Sequence, residues 1–429
     1  MSLIAKSPRS LCKRVRTLTQ SPLWANTAAL GSLQVVSLLI PIATMPYLVR
    51  MLGTAGYGEY ALCLSVVGYC TILADFGSGM RSVRAIAAAR EDADATARIC
   101  TATLIQRLGL GFSAWLAVVA CTRLLPVAPD FARLLTLGAP MIPAALANMS
   151  WYFQGVQRLR DMVAAQIAVK LSGLALLFSL VHGPADLPRA VLIELYMAAL
   201  SSVATWLLLS KRLRSLLRRP DFAQLRLGLR ESAALFVATL GSTLYANGLI
   251  LVLGLAANRV EVGYFAIADR IAFAFERILH PLQQAIYPHV NAMRQHARND
   301  ALALLRRLLM RTALLGVPAT LLIAAVVPTL LSWVGGRDAT AAAVPLWIMS
   351  PQPVLIMLSN ILGVQALLSF GRARSVARVQ WTVGVICLAL AWPASRWLGA
   401  VGASLVSTAA EVGIVALYFR ATRVQLQFP

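Results

Sequence analysis

The chain has 429 residues, of which 59% are hydrophobic and only 13% charged, and its mean hydropathy is +0.72. Soluble domains carry about 45–50% apolar and about 25% charged residues, so half the usual charge is missing and a water-soluble globule is excluded. The 39 Lys and Arg against 17 Asp and Glu give a net charge of +22, a balance that would suggest nucleic acid in a soluble chain, and the placement of the cations decides the matter.

A helix needs about 20 mostly apolar residues to cross a bilayer. Runs of that kind are expected at 24–49, 57–80, 99–122, 131–153, 162–182, 189–209, 231–256, 262–290, 312–334, 341–369, 379–398 and 401–420. With the N-terminus placed in the cytoplasm, 28 Lys and Arg fall on the cytoplasmic side of these spans and six on the other side, namely Arg50, Arg123, Arg189, Arg259, Arg337 and Arg396. That bias fits the positive-inside rule and puts both termini in the cytoplasm. The cations are separated by apolar spans rather than gathered on one face, which argues against nucleic acid as a partner. The basic start, Lys6 to Arg16, leads into an apolar run too long for a cleaved signal peptide, and it reads as a retained first span.

The longest basic connector, Lys211 to Arg230, falls between the sixth and seventh spans. The expected fold is an all-α polytopic membrane protein of about twelve transmembrane helices. Its parts are a cytoplasmic basic segment (1–22), a six-helix lobe (23–210), a basic cytoplasmic linker (211–230) and a second six-helix lobe (231–429). Leu52-Gly53 followed by Gly58-Glu59-Tyr60 echoes Leu253-Gly254 followed by Gly263-Tyr264-Phe265, each between the first and second span of its half. A repeat of six spans preserves orientation, so the lobes should be related by a parallel pseudo-repeat about an axis along the membrane normal.

Signatures of soluble chemistry are missing. There is no G-x-x-x-x-G-K-[ST], H-E-x-x-H or G-x-S-x-G; Asp75-Phe76-Gly77 has no kinase context; and four dispersed histidines and six scattered cysteines do not make a metal site. No loop between the expected spans on the outer side is long enough to build a substantial catalytic site. Charges inside spans carry more information, because each costs about 2.5–3.5 kcal/mol at the bilayer centre and must face water or a partner. The eighth span holds four in Asp269-Arg270-Ile-Ala-Phe-Ala-Phe-Glu276-Arg277, the acids seven apart and the arginines seven apart, so each pair lies on one helix face. Facing a central cavity, they would supply cations for an anionic substrate and acids for a coupling ion. A structural ion-pair network is the plainer alternative. Arg107, Arg133 and Lys170, with Asp75, Glu194 and Glu411, are the other charges in or beside spans. Pro41 and Pro46 in the first span, and Pro281 and Pro288 in the eighth, are expected kink points.

Several segments resemble the bacterial polysaccharide-unit flippases, the O-antigen and exopolysaccharide (Wzx-type) branch of the multidrug, oligosaccharidyl-lipid and polysaccharide exporter superfamily. They are Thr44-Met-Pro46-Tyr47-Leu48-Val-Arg50-Met-Leu52-Gly53, Gly56-Tyr57-Gly58-Glu59-Tyr60, Asp75-Phe76-Gly77, Trp151-Tyr152-Phe153-Gln154-Gly155, Val262-Gly263-Tyr264-Phe265 and Phe370-Gly371. Asn247-Gly248 departs from the pattern, standing where many members carry an acid. The resemblance implies alternating-access transport of an undecaprenyl-pyrophosphate-linked oligosaccharide across a bacterial inner membrane, beside polysaccharide polymerase and chain-length machinery. It implies no cofactor, and proton or sodium coupling. Arg270, Arg277, Lys170 and Arg107 would then be the substrate-binding cations, and Asp269, Glu276 and Asp75 the coupling-ion carboxylates. An ion-coupled drug antiporter of the same superfamily is the alternative.

Overall fold

In a computed structural model, residues 22–210, 218 and 222–426 are described, and among them there is no strand. The basic stretch Lys6 to Arg16 and all of 211–221 except Arg218 lie outside the described residues, as do the side chains of His280 and His289.

The first helix, α1 (Pro22–Asp75), is 54 residues long, roughly 80 Å at 1.5 Å per residue and far more than one bilayer crossing. It breaks at Gly53, whose φ of 72° and ψ of 169° suit only a residue without a Cβ, so the single stretch holds the first two expected spans. Pro41 and Pro46 sit within helical backbone in the first part of this stretch. Next come α2 (Ser78–Ala88) and α3 (Ala93–Leu124), the latter capped by Asp92, whose carboxylate accepts from the Ala95 N–H at 2.8 Å. The expected span 131–153 is not one rod but three short helices, α4 (Pro129–Gly138), α5 (Met141–Leu146) and α6 (Ser150–Gly155). Pro140 and Pro143 lack the N–H that a continuous helix would need there.

The order continues with α7 (Arg160–Leu180), α8 (Leu187–Leu209), α9 (Phe222–Ala256), α10 (Arg259–His296) and α11 (Arg298–Gly335). The expected span 341–369 is again divided, into α12 (Ala343–Met349), α13 (Gln352–Asn360) and a π-helical segment, Ile361–Leu368. The chain ends in α14 (Ala373–Leu426), another 54-residue stretch, interrupted at Gly399. Seven of the described helical stretches are long and apolar enough to cross a membrane, and two of these, Gly31–Asp75 and Ala373–Val424, are long enough for two crossings each. The protein is thus an all-α polytopic membrane protein.

The largest core cluster joins both halves of the chain, with Leu48, Leu52, Tyr57 and Cys63 of α1 packed among Leu253, Phe265, Ile267, Leu331, Leu362 and Ala403. On the outside, Leu116, Leu207, Leu314, Leu321 and Trp397 stand exposed, an apolar surface that water would not tolerate and hydrocarbon would.

Besides this shared core, two groups of contacts join the halves. At one end α1 and α10 meet backbone to backbone. A Cβ on Gly58 would fall 2.1 Å from the Arg259 carbonyl oxygen and 2.7 Å from the Gly263 nitrogen, and one on Gly263 would fall 2.2 Å from the Thr54 carbonyl oxygen. Arg259 also reaches Glu59 at 3.6 Å and lies over the Phe131 ring at 4.3 Å. Glu261 accepts the Ala400 N–H at 2.7 Å, tying the start of α10 to the break in α14. At the other end Arg81, 6% exposed, donates to Glu231 at 2.9 Å, and the Phe76 and Phe236 rings lie 4.9 Å apart. Arg218, within the basic connector, is pinned to α3 through Asp94 at 2.6 Å and Thr101 at 3.0 Å.

Candidate functional site: a central cavity and a lateral pocket

Tyr57, Tyr60, Leu64, Gly68 and Ile72 of α1 recur at three- and four-residue intervals and so lie along one face, with Ser65 and Tyr69 beside them. Across from it stand Asp269, Arg270 and Glu276 of α10, Gln352 and Ser359 of α13, and Ser407 and Glu411 of α14, and the walls enclose a cavity of about 520 Å³. That is within the range of about 300–1,000 Å³ typical of ligand sites. Gln352 is held in place by donating its amide to Ser407 and Thr408 at 2.9 and 3.1 Å.

A second, apolar pocket of about 180 Å³ opens between the first half of α1, α10 and α11. Pro41, Met45, Pro46, Phe273, Leu330 and Trp333 are among its walls. Arg270 lines both spaces, whereas Arg277 lines only the lateral one, with its guanidinium 4.5 Å over the Phe273 ring. Both arginines are exposed, and Asp269 and Glu276 are half-buried. The charged stripe of α10 therefore has two edges about 100° apart. Residues 269 and 276 face the central cavity; residues 270 and 277 reach the lateral pocket.

The remaining residues singled out from the sequence lie elsewhere. Arg107, 8% exposed, is bound to Asp75, to the Leu146 carbonyl at 2.9 Å and to Ser78 at 3.4 Å, so this pair ties α3 to the end of α1 and to α5. Neither residue lines the central cavity; Arg107 borders a separate pocket with Arg84, Ser150 and Gln154 in the N-terminal half. Lys170 of α7 is half-buried and close enough to act electrostatically on Glu194, which accepts the Tyr60 hydroxyl at 2.7 Å. It sits behind the tyrosine wall, outside the cavity lining. Arg133 of α4 likewise does not line the cavity. In the other direction, sequence reasoning gave no site role to Tyr57, Tyr60 or Tyr69. It also gave none to Gln352 and Ser407, whose signal as polar groups in apolar spans was present but weak. Glu411, 6% exposed, was visible as a buried acid, but nothing in the sequence joined it to Asp269 and Glu276.

Among the described residues no group of three or more His, Cys, Asp or Glu is arranged to hold a metal ion. Among the described residues the cavity offers hydroxyls, phenols, carboxylates and one guanidinium, groups suited to a hydroxyl-rich ligand with an anionic end.

Comparison with known proteins bears on this geometry. The family model for polysaccharide biosynthesis proteins matches residues 23–294. Two curated proteins, from Escherichia coli (strain K12) and Shigella dysenteriae, carry the name "Putative O-antigen transporter". They are 25% and 24% identical to this chain, covering 91% and 90% of it and 94% and 96% of their own lengths. Among solved structures, lipid II flippase MurJ in an inward closed conformation superposes with a TM-score of 0.69 at 10% identity, over 92% of this chain and 87% of that one. A multidrug resistance MATE transporter of the MOP superfamily, inward-facing, gives 0.63 at 15% identity, over 91% and 98%. Both show a shared fold.

Proposed function

We propose that this chain, which belongs to the polysaccharide biosynthesis protein family, moves a polyprenyl-pyrophosphate-linked oligosaccharide repeat unit from the cytoplasmic to the outer leaflet of a bacterial inner membrane by alternating access. The observation that carries the reading is Arg270, which lines a polar cavity on one side and an apolar lateral pocket on the other. An amphiphile with a lipid tail, a doubly charged joint and a sugar has the same three-part order. The tail runs out through the lateral pocket, the pyrophosphate meets the forks of Arg270 and Arg277, and the glycan lies in the cavity; planar guanidinium suits phosphate oxygens better than a point charge would.

The cation bias along the chain puts the Arg81 end in the cytoplasm and the Arg259 end outside. On that orientation residues 23–210 and 231–429 form two lobes, which rock about the cavity and close alternately at the Gly58–Gly263 contact and at the Arg81–Glu231 pair. The two relatives named as O-antigen transporters support a surface polysaccharide as the destination. In a strain dependent on this chain, Arg270→Ala should leave the protein inserted and cause undecaprenyl-linked intermediates to accumulate on the inner leaflet. Normal leaflet distribution in the Arg270→Ala/Arg277→Ala double variant would reject the head-group assignment.

A second reading is favoured by one observation, that three carboxylates and one arginine line the central cavity. Such an excess of acid suits an ion-coupled antiporter of cationic compounds, and it predicts efflux of a cationic dye from vesicles, which the flippase reading does not.

A further inference from the structure

A third pocket, of about 390 Å³, lies in the N-terminal half and shares no lining residue with the two spaces beside α10. Its walls come from α2, α3 and α6, helices in which every side chain is described, and its lining holds two cations, Arg84 and Arg107, and no acid. Gly155 lets α6 lie close on α2, since a Cβ there would fall 2.7 Å from the Ile86 side chain. Donors in this space are left over. Arg107 commits Nε to the Leu146 carbonyl and Nη1 to Asp75 and Ser78, while its Nη2 donates to no described residue. Arg84 is exposed, and its guanidinium meets the Met80 sulfur at 3.8 Å, a weak acceptor, and no carboxylate among the described residues. Trp151, 3% exposed, also lines the pocket, and its indole N–H has no acceptor among the described residues. Ser150 and Gln154 add a hydroxyl and an amide.

We propose that this pocket binds the phosphate group of an anionic phospholipid of the cytoplasmic leaflet. Asp75 offsets the charge of Arg107, so Arg84 supplies the net positive charge of the lining, and the surplus N–H groups supply the hydrogen bonds that phosphate oxygens accept. The cation bias that sets the Arg81 end in the cytoplasm sets α2 there too, and basic pockets between membrane helices on that side take lipid headgroups. Met80, 49% exposed beside Arg84, gives the rim an apolar surface for an acyl chain, which a soluble phosphate has no use for. A headgroup held by Arg84 and by the polar groups of α6 bridges two short helices that otherwise meet through apolar side chains such as Ile86 and Trp151.

The test uses the full-length protein in phosphatidylcholine nanodiscs containing increasing amounts of phosphatidylglycerol, read by hydrogen–deuterium exchange. Phosphatidylglycerol should slow exchange over 79–87 and 150–157. Arg84→Ala should raise the phosphatidylglycerol content needed for half of that protection at least about tenfold, the loss of one charge-assisted hydrogen bond. Arg84→Lys, which keeps the charge without the fork, should fall between the two. Arg98→Ala, which removes an exposed cation of α3 outside the lining, should match the parent. Equal protection in Arg84→Ala and the parent overturns the proposal, and so does an equal loss in Arg98→Ala, which would mean diffuse attraction to the basic surface. Inorganic phosphate added to pure phosphatidylcholine nanodiscs should protect neither segment; protection equal to that by phosphatidylglycerol overturns the lipid assignment in favour of a soluble anion.

Discussion

The backbone contact between Gly58 and Gly263 makes a quantitative prediction. Replacing Gly263 with alanine puts a Cβ 2.2 Å from the Thr54 carbonyl oxygen, where ordinary van der Waals contact begins at 3.4 Å, so α1 and α10 must separate there by about 1.2 Å. Because the obstructing atom is backbone, no side-chain rotation relieves the clash, and overpacking of this kind costs about 1–3 kcal/mol. Charged to the state closed at this end, that is about a 5- to 150-fold shift toward the open one. Hydrogen–deuterium exchange in nanodiscs should therefore show faster amide exchange over 54–60 and 259–264, with the Arg81 end unchanged or better protected. Gly58→Ala, approaching the same contact from the other helix, should do the same. Arg259→Ala is the contrast: it removes a part-exposed ion pair with Glu59 and a cation–π contact with Phe131, together worth about 1–2 kcal/mol at most, and leaves the backbones in contact. If both alanine variants exchange like the parent and move substrate at its rate, the glycine contact is not the element that holds this end shut.

Three further expectations follow from particular contacts. Arg107→Leu should lower folded yield and thermal stability by leaving the part-buried Asp75 without its guanidinium, and Asp75→Asn/Arg107→Leu should recover much of the loss in a detergent melting assay. Tyr60→Phe removes the hydroxyl that Glu194 accepts at 2.7 Å and should cost about 1–3 kcal/mol of stability by the same assay, whereas Glu194→Gln/Tyr60→Phe should be less than additive. Asp186, in the turn between α7 and α8, accepts the His182 N–H, and that bond holds its carboxyl below the usual range. Its stabilisation is accordingly full above the ordinary aspartate value of about 3.9 and fades only as pH falls beneath it, so the His182 amide should stay protected from exchange at pH 5 and lose protection as the pH is taken well below the aspartate range.

The parts of this molecule legible in the sequence are those set by a single helix or by composition. The seven-residue spacing of Asp269 with Glu276 and of Arg270 with Arg277 fixed which charges share a face before any neighbour was known, and each pair indeed lines a common space. Leu52-Gly53 marked a break that lies in the backbone at Gly53. Illegible were partnerships across long separations. Nothing local in Asp75 announces that Arg107 on the next long helix will neutralise it, since a lone acid near a span end reads the same whether it faces a cavity or a guanidinium. The divided stretches 129–155 and 343–368 were missed because hydropathy averages over Pro140, Pro143, Pro345, Pro351 and Pro353, though each proline removes a helix donor.

The Gly58–Gly263 contact constrains how its end of the molecule can open. The fold sets the two glycines face to face, each following a Leu-Gly step in the sequence. Small residues are needed at both positions at once: enlarging either one separates the pair. The opposite end is held differently. There Arg81 of α2 meets Glu231 of α9, and Phe76 meets Phe236, joining unlike positions through side chains. Side chains can swing aside at the cost of rotamer changes, whereas two abutting backbones part only if whole helices move. The end closed by glycines should therefore open by rigid displacement of α1 against α10, and the end closed by Arg81 by local release, beginning with the ion pair whose glutamate is half in water.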